Sequence, residues 1–533
     1  MKKYTVGLDY GTLSVRAVIV DTENGQVEAS ASYEYPHGVM SDTVGEVPLR
    51  PDSALQHPKD YIDGLSIVIR EAMRKGGIHP EQIVGVGIDF TSSTVMAVDE
   101  CGTPLCMKEE FASSPDAYVK LWKHHGAIEE CDRLNEIAKA RGESWLRRYG
   151  GKINCEFMIP KIYETMTHAP EVYDATYRFI EAGDWIVWQL TGVEAHSVCT
   201  TGFKAAWSAS DGYPTDDFFL ECNEKLAQTI KAKLPKNIIT MDKAAGYITD
   251  SAARLTGLMP GTAVAPALID AHSALPASGI CKDGSMLMII GTSSCHILVS
   301  DKESPVQGIS GYVKDAIYVG KYVYEAGQSA VGDAFSWFID NCVPSSYFSA
   351  AKEMGIGIHE YLSLLAGRIE PTPDSPIAID WWNGCRAPYS DAGLKGCIIG
   401  LDITTPPEAI WRAILESTAY GTRRIIELYR DAGIEINDLV AAGGIPKKNP
   451  LLTSIYADVL GMDVFLSEAS ESSALGAAFA AMAVTGMGSL EEISERLGKR
   501  SQKPFTPDPC RKNVYNKLYE KYKKLSDFLA LEL

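Results

Sequence analysis

The sequence predicts an α/β protein built from two related halves. A short motif occurs twice, as Gly11-Thr12-Leu13-Ser14 and as Gly291-Thr292-Ser293-Ser294, each time between apolar runs that read as strands. Around both copies, strand signals alternate with helix and turn signals, the pattern of layered α/β domains. The length of 533 residues also exceeds what one ordinary core supports, so two or three domains are expected.

In chain order, residues 4–9 form a first strand that turns at Gly11-Thr12 and returns over 15–20. A helix follows over 58–75, with Tyr61, Leu65, Val68, Ile69 and Ala72 on one face. The run 83–89 is a strand ending in Asp89. From 115 to 234 the signals are mostly helical and rich in aromatics (Trp122, Trp145, Trp185, Trp188, Trp207), which reads as a helical insertion. A strand over 262–267 leads to Leu268-Ile269-Asp270, and Gly279 to Gly284 connects the halves. The plan then repeats: a hairpin at 286–299, a strand at 439–442 breaking at Gly443-Gly444, and helices at 450–460 and 473–484. The last segment, 511–533, aligns Val514, Leu518, Tyr522, Leu525 and Leu529 on one stripe. That helix either packs back on the body or binds a partner.

Composition narrows the function classes. A net charge of −19 argues against nucleic-acid or anionic-membrane partners, whose phosphates would be repelled. Any bound phosphate must therefore be held by local dipoles, a few cations and a metal ion. The twelve cysteines include no C-x-x-C pair, so neither a zinc site nor a redox motif is indicated, and they read as thiols in a reducing cytoplasm. The N-terminal apolar stretch, interrupted by Asp9, is too short for a signal-peptide core, and no run reaches the length of a membrane span.

The Gly-Thr-x-Ser turns bring several N–H and hydroxyl donors into a small volume, which suits a phosphate group. An ordinary β-turn would look the same in a single copy; the repetition favours two cradles gripping one polyphosphate. Asp9, just before the first turn, either holds Mg²⁺, which needs few protein ligands, or closes the turn through a backbone hydrogen bond. Arg16 on the return strand either neutralises a phosphate oxygen or forms an exposed salt bridge. Asp270, at a strand's C-terminal end, is placed to act as a general base toward a hydroxyl, although an Asp after a strand also commonly caps a helix. Gly443 and Gly444 would let a flat heterocycle approach the backbone, with Asn449 able to hydrogen-bond it; a tight turn is the rival reading. Ser92, Ser93, Lys204 and Glu325 supply polar groups suited to a small polyol, and Gly327 suggests a close backbone approach beside Glu325.

Several segments occur in a characteristic order. They are Gly7-Leu8-Asp9-Tyr10-Gly11, Asp89-Phe90-Thr91-Ser92-Ser93-Thr94, Tyr149-Gly150-Gly151-Lys152 and Gly202-Phe203-Lys204-Ala205-Ala206-Trp207. Asp270-Ala271-His272, Ile290-Gly291-Thr292-Ser293, the run from Glu325 to Asp333, Asp380-Trp381-Trp382-Asn383-Gly384-Cys385-Arg386 and Gly443-Gly444-Ile445-Pro446-Lys447-Lys448-Asn449 follow. Together they resemble the FGGY carbohydrate kinases, a branch of the actin, Hsp70 and sugar kinase superfamily, over nearly the whole chain.

The resemblance implies two RNase H-like domains flanking a nucleotide-binding cleft. Residues 1–278 would carry the helical insertion, the sugar site and the base, and residues 279–533 the ATP site and the terminal helix. It implies ATP and Mg²⁺ as cofactors and a homodimer. By the likeness of the 325–333 segment, the substrate would be a ketopentose, L-ribulose, phosphorylated at the C5 hydroxyl. Asp270 would be the base and Asp9 would position Mg²⁺. The first turn (Gly11, Thr12, Ser14, with Arg16) and the second (Gly291, Thr292, Ser293) would hold phosphates. Gly443, Gly444 and Asn449 would grip adenosine, and Ser92, Ser93, Lys204, Asp270 and Glu325 would contact the sugar. One departure stands out: where many family members place an acidic residue shortly after the Trp at 122, this chain has His124 and His125, and this loop is left out of the expected site. Rival readings are a kinase of D-ribulose, xylulose or ribitol, and an actin-like ATPase of filament or chaperone type.

Overall fold

The computed structural model describes residues 2–532. Its contacts divide the chain into two compact units that are not continuous in sequence. The first comprises residues up to Cys281 together with Tyr312–Val323 and Ala469–Gly498; the second comprises Lys282–Gly311, Tyr324–Glu468 and the residues from Lys499 onward. One division lies between Cys281 and Lys282, and residues 469–498 return late in the chain to the first unit.

The first unit is built on a mixed sheet. Strand Tyr4–Tyr10 lies between Ser14–Asp21, with which it is antiparallel, and Ile83–Phe90, with which it is parallel; Val27–Glu34 extends one edge and Ala263–Val264 the other. Tyr4–Tyr10 is buried on both faces except at Asp9, which explains its near-continuous apolar run. On one face lies helix Pro58–Gly76, where Gly64 lets the helix approach Val15 and Tyr33: a Cβ there would stand 2.4 Å from the Val15 side chain. On the other face lies helix Ser472–Val484. A Cβ on Gly7 would stand 1.8 Å from the Ala474 carbonyl oxygen, and one on Gly87 1.8 Å from that of Ala477. The glycines in the strands and the alanines in the helix are therefore one device for bringing backbone against backbone. Being covered all round, the helix needs no polar face.

The expected strand 262–267 is shorter than its sequence suggests. Ala263–Val264 and Leu268–Ile269 each pair with Ile83–Phe90, and Pro266, without an N–H to donate, falls in the gap between them. The segment 115–234 is mostly helical as expected, with short strands Val119–Lys120 and Arg178–Glu181 in a small four-stranded sheet. Its own core includes Trp145, Tyr149, Phe157, Tyr173, Phe218 and Phe219.

The second unit repeats the hairpin: Ser285–Ile290 runs antiparallel to Ser294–Ser300 and parallel to Asp438–Ala442, with Val464–Leu466 beyond. Helix Pro509–Glu532 packs back on its own unit; of the stripe the sequence suggested, Leu518 and Tyr522 are buried, while Val514, Leu525 and Leu529 are only partly so. The buried residues are Tyr515, Leu518, Tyr519, Tyr522 and Ser526. The reason is polar: the Tyr515 hydroxyl accepts from Arg412 (2.7 Å) and donates to Glu416 (2.8 Å), and the Tyr522 hydroxyl donates to buried Asp380 (2.5 Å). With such partners Tyr515 takes the inward position over neighbouring Val514. No helix among the described residues is long and apolar enough to cross a membrane.

Candidate active site

In the first unit, two strands carry the same tetrapeptide pattern, Gly7-Leu8-Asp9-Tyr10 and Gly87-Ile88-Asp89-Phe90, in matching parallel register. Tyr10 stacks on Phe90 with ring centroids 4.8 Å apart, and Asp9 and Asp89 become direct neighbours. Asp89 was visible in the sequence only as an acidic strand end; the repeated tetrapeptide is the signal that pairs it with Asp9. Its carboxyl is fully buried, and neither oxygen has a conventional donor among the described residues. Burial above all, and then the neighbouring Asp9 and Asp270 carboxylates, push its pKa well above the usual range. Burial raises Asp9 too, against the opposing pull of Asp89 and Arg16. Two carboxyls this close share a proton or a cation.

Asp270 opens helix Asp270–Ala277 directly after Leu268–Ile269, the short strand beside Asp89. Its Oδ1 accepts from the Ala271 N–H at 2.7 Å, and the side chain is partly exposed. The helix is fixed from behind: Ser273 donates to the Ser473 carbonyl at 2.7 Å, and His272 packs edge-on against Phe203 with centroids 4.4 Å apart. Phe203 belongs to helix Val198–Lys204, whose last residue, Lys204, is buried with its ammonium 5.4 Å from the Phe157 ring centre. The Ser92-Ser93 turn follows strand Ile83–Phe90. Ser93 adopts a left-handed φ of 53°, and its buried hydroxyl has no hydrogen-bond partner among the described residues.

The two Gly-Thr turns differ in register. Tyr10 pairs with Val15, leaving four residues in the first loop, whereas Ile290 pairs with Ser294, leaving three in the second. Gly11 donates to the Ser14 carbonyl and Gly291 to that of Ser293, both at 2.9 Å. In the first, the Thr12 hydroxyl accepts from the Trp122 indole at 3.1 Å, and its carbonyl accepts from Gln56 at 2.6 Å. Arg16, on the return strand, forms an ion pair with Glu471.

In the second unit, the turn is braced by the start of helix Gly332–Cys342. Val331, Gly332 and Asp333 donate their N–H groups to the Thr292 and Gly291 carbonyls at 2.7, 2.9 and 3.2 Å. Behind it, a Cβ on Gly327 would lie 2.3 Å from the Ser294 carbonyl, the close approach the sequence anticipated. Glu325 lies on the same strand, Tyr322–Gln328, and its carbonyl accepts from Ser310 at 2.9 Å. Gly443 has φ 100° and passes so close to Ile290 that a Cβ would stand 2.4 Å from its carbonyl, whereas Gly444 faces open space. Asn449 is committed at both ends of its amide: Oδ1 accepts from Leu452 at 3.1 Å, capping helix Pro450–Leu460, and Nδ2 donates to Ser363 at 3.2 Å.

His124, at the departure noted in the sequence, is buried and fully partnered. Nδ1 accepts from the Ala54 N–H at 3.2 Å and Nε2 faces Glu164 at 3.0 Å. Burial outweighs Glu164 and brings its pKa down to about 4, so the ring is neutral at pH 7. It belongs to a buried ionic network with Arg50, Asp116, Lys120 and Glu164.

Each unit is thus an α/β layer with a Gly-Thr hairpin at one end of its sheet, and the chain belongs to the FGGY family of carbohydrate kinases. The family's N-terminal domain matches residues 4–276 and its C-terminal domain residues 286–484. Among curated relatives, the chain is 44% identical to a ribulokinase of Geobacillus thermodenitrificans, covering 99% of this chain and 95% of that one. It is 45% identical to a ribulokinase of Bacillus licheniformis, covering 97% and 95%. Among solved structures, xylulose kinase from Rhodospirillum rubrum superposes with a TM-score of 0.80 at 22% identity, over 99% of both chains. Plasmodium falciparum glycerol kinase with ADP gives 0.77 at 18%, over 98% of both. These structures establish the fold. The chain is an ATP-dependent carbohydrate kinase.

Proposed function

We propose that this kinase transfers the γ-phosphoryl group of ATP to the C5 hydroxyl of L-ribulose. The substrate class rests on the two ribulokinase relatives, which span nearly the whole chain. The chemistry rests on one observation: Asp9, Asp89 and Asp270 stand at the ends of adjacent strands in one sheet.

Asp270, partly exposed and fixed by its helix, takes the proton of the sugar hydroxyl as the oxygen attacks phosphorus. The electrons of the breaking bond leave with ADP. Lys204, Ser92, Ser93 and Glu325 orient the sugar. The two turns supply N–H and hydroxyl donors to the phosphates, and Gly443 and Gly444 leave room for the adenine ring. Asn449 and Arg16 contribute by holding a helix start and a turn in place, through the partners they already have.

Mg²⁺ fits the residues present. The orphaned Asp89 oxygens beside Asp9 form a carboxylate pair that a divalent cation would satisfy. Mg²⁺ takes one or two carboxylates and keeps waters and phosphate oxygens, which such a pair would allow. When bound, the ion neutralises charge on the phosphates.

An assay of ADP release with Mg-ATP against L-ribulose, D-ribulose, D-xylulose, ribitol and glycerol tests the reading. Turnover with L-ribulose well above the others is expected. Preference for another acceptor overturns the substrate and leaves the mechanism, and ADP release independent of sugar overturns both.

A further inference from the structure

Lys161, on helix Met158–His168, is a fully buried ammonium with no ion pair among the described residues. Its neighbour in the fold, Lys120, shows the usual solution, with Asp116 and Glu164 at 2.8 and 2.7 Å. Lys161 instead donates to backbone: to the Ser93 carbonyl at 2.6 Å, the Leu121 carbonyl at 2.8 Å and, at longer range, the Lys120 carbonyl at 3.4 Å. Burying a charged amine without a counter-ion is costly, so its retention calls for something that carbonyl contacts alone supply. Burial draws its pKa down, with the Glu181, Glu156 and Glu164 carboxylates opposing and Lys120 adding to the fall.

The carbonyls it holds are the informative part. Ser93 is the left-handed residue of the turn that carries the proposed sugar contacts, a conformation that a residue with a Cβ adopts only when its surroundings impose it. The next residue is held from another side, where the buried Glu181 carboxylate accepts from the Thr94 N–H at 3.1 Å. Leu121 immediately precedes Trp122, whose indole donates to Thr12 in the first phosphate turn. One ammonium thus ties the Ser92-Ser93 turn to the segment that reaches the Gly11-Thr12 turn.

We infer that Lys161 is a positioning residue for the acceptor sugar: by gripping the Ser93 and Leu121 carbonyls it fixes the sugar-contacting turn relative to the first phosphate turn. This rests on the function proposed above, and Lys161 need not touch substrate.

The test compares Lys161→Met with the wild-type chain by steady-state kinetics and by amide hydrogen exchange. The KM for the sugar is expected to rise at least tenfold, while the KM for ATP stays within twofold. Exchange in the peptide spanning 91–95 should accelerate at least tenfold, with strand Tyr4–Tyr10 unchanged. Lys161→Arg, which keeps the charge and the donors, should recover most of the sugar KM. An unchanged sugar KM, a parallel rise in both KM values, or exchange that accelerates uniformly would overturn the inference. Should Lys161→Met be insoluble, Lys161→Gln is measured in the same way; if neither accumulates as folded protein, the residue is a determinant of folding and the inference fails. The exchange measurement needs no substrate, so an error in the sugar assignment would show in the acceptor panel and not here.

Discussion

Asp9, Asp89 and Asp270 are chemically alike and differ in what surrounds them. Asp89 is sealed among carboxyls and gains most from a shared cation, whereas Asp270 is partly exposed and held by a backbone N–H. Asp270→Asn is therefore expected to lower kcat by roughly 10²–10⁴-fold, the span of a general base, with the KM for ATP nearly unchanged. Retained turnover would reassign the base. Asp89→Asn should weaken Mn²⁺ binding, read by the fraction of free ion in an electron spin resonance titration, by tenfold or more. Equal affinity would leave Asp9 as the sole carboxylate at the ion. Asp9 and Asp270 were legible in the sequence because each ends an apolar run beside a distinctive turn. Asp89 needed strand register, which a linear reading does not supply. Lys161 was silent for a deeper reason: its acceptors are backbone carbonyls 68 and 40 positions away, and a carbonyl leaves no mark in a sequence.

Among the elements, the strand and helix types followed their apolar patterns closely, and the errors lie where polar partners or proline intervene. The terminal helix turned its tyrosines inward because Arg412, Glu416 and Asp380 await their hydroxyls. The strand at 262–267 broke at Pro266. The small-residue helix Ser472–Val484 was recognised as a helix, but its low side-chain volume gave no hint that it covers Gly7 and Gly87. Its fit makes a sharp contrast between two glycines. Gly87→Ala forces a methyl group against the Ala477 carbonyl and should destabilise the protein by at least about 1–3 kcal/mol, read by denaturant melts. Gly444→Ala meets nothing within 4 Å, so stability should hold while the KM for ATP rises severalfold if adenine lies there. An unchanged KM would remove Gly444 from the nucleotide site.

Over the whole molecule, stability should depend on pH through its buried carboxylates. Burial opposes ionisation of Glu164, but the Lys120 ammonium and His124 outweigh it and hold its pKa below the usual range. Burial likewise opposes Glu194, but His196 and Arg178 bring it down to about 2. Groups depressed in the folded state contribute stability above their unfolded pKa, near 4.5, and lose it as the pH falls toward the folded value. The calorimetric melting temperature should therefore decline progressively from pH about 4.5 to about 2 as these contributions are lost. Glu164→Gln should flatten part of that decline while costing about 3 kcal/mol or more near pH 7, since it leaves Lys120 short of a partner. A low-pH limb identical to wild type would remove Glu164 from the account.

The return of residues 469–498 to the first unit also sets an order of events during synthesis. When Cys281 has left the ribosome, the nascent chain still lacks the helix that lies against Gly7 and Gly87, and the sheet bearing Asp9 and Asp89 has one bare apolar face. About 200 further residues must be translated first, roughly 10–40 s at ordinary bacterial rates. For that interval the half of the enzyme made first is the half still waiting to fold, and it is the half a chaperone would be expected to hold.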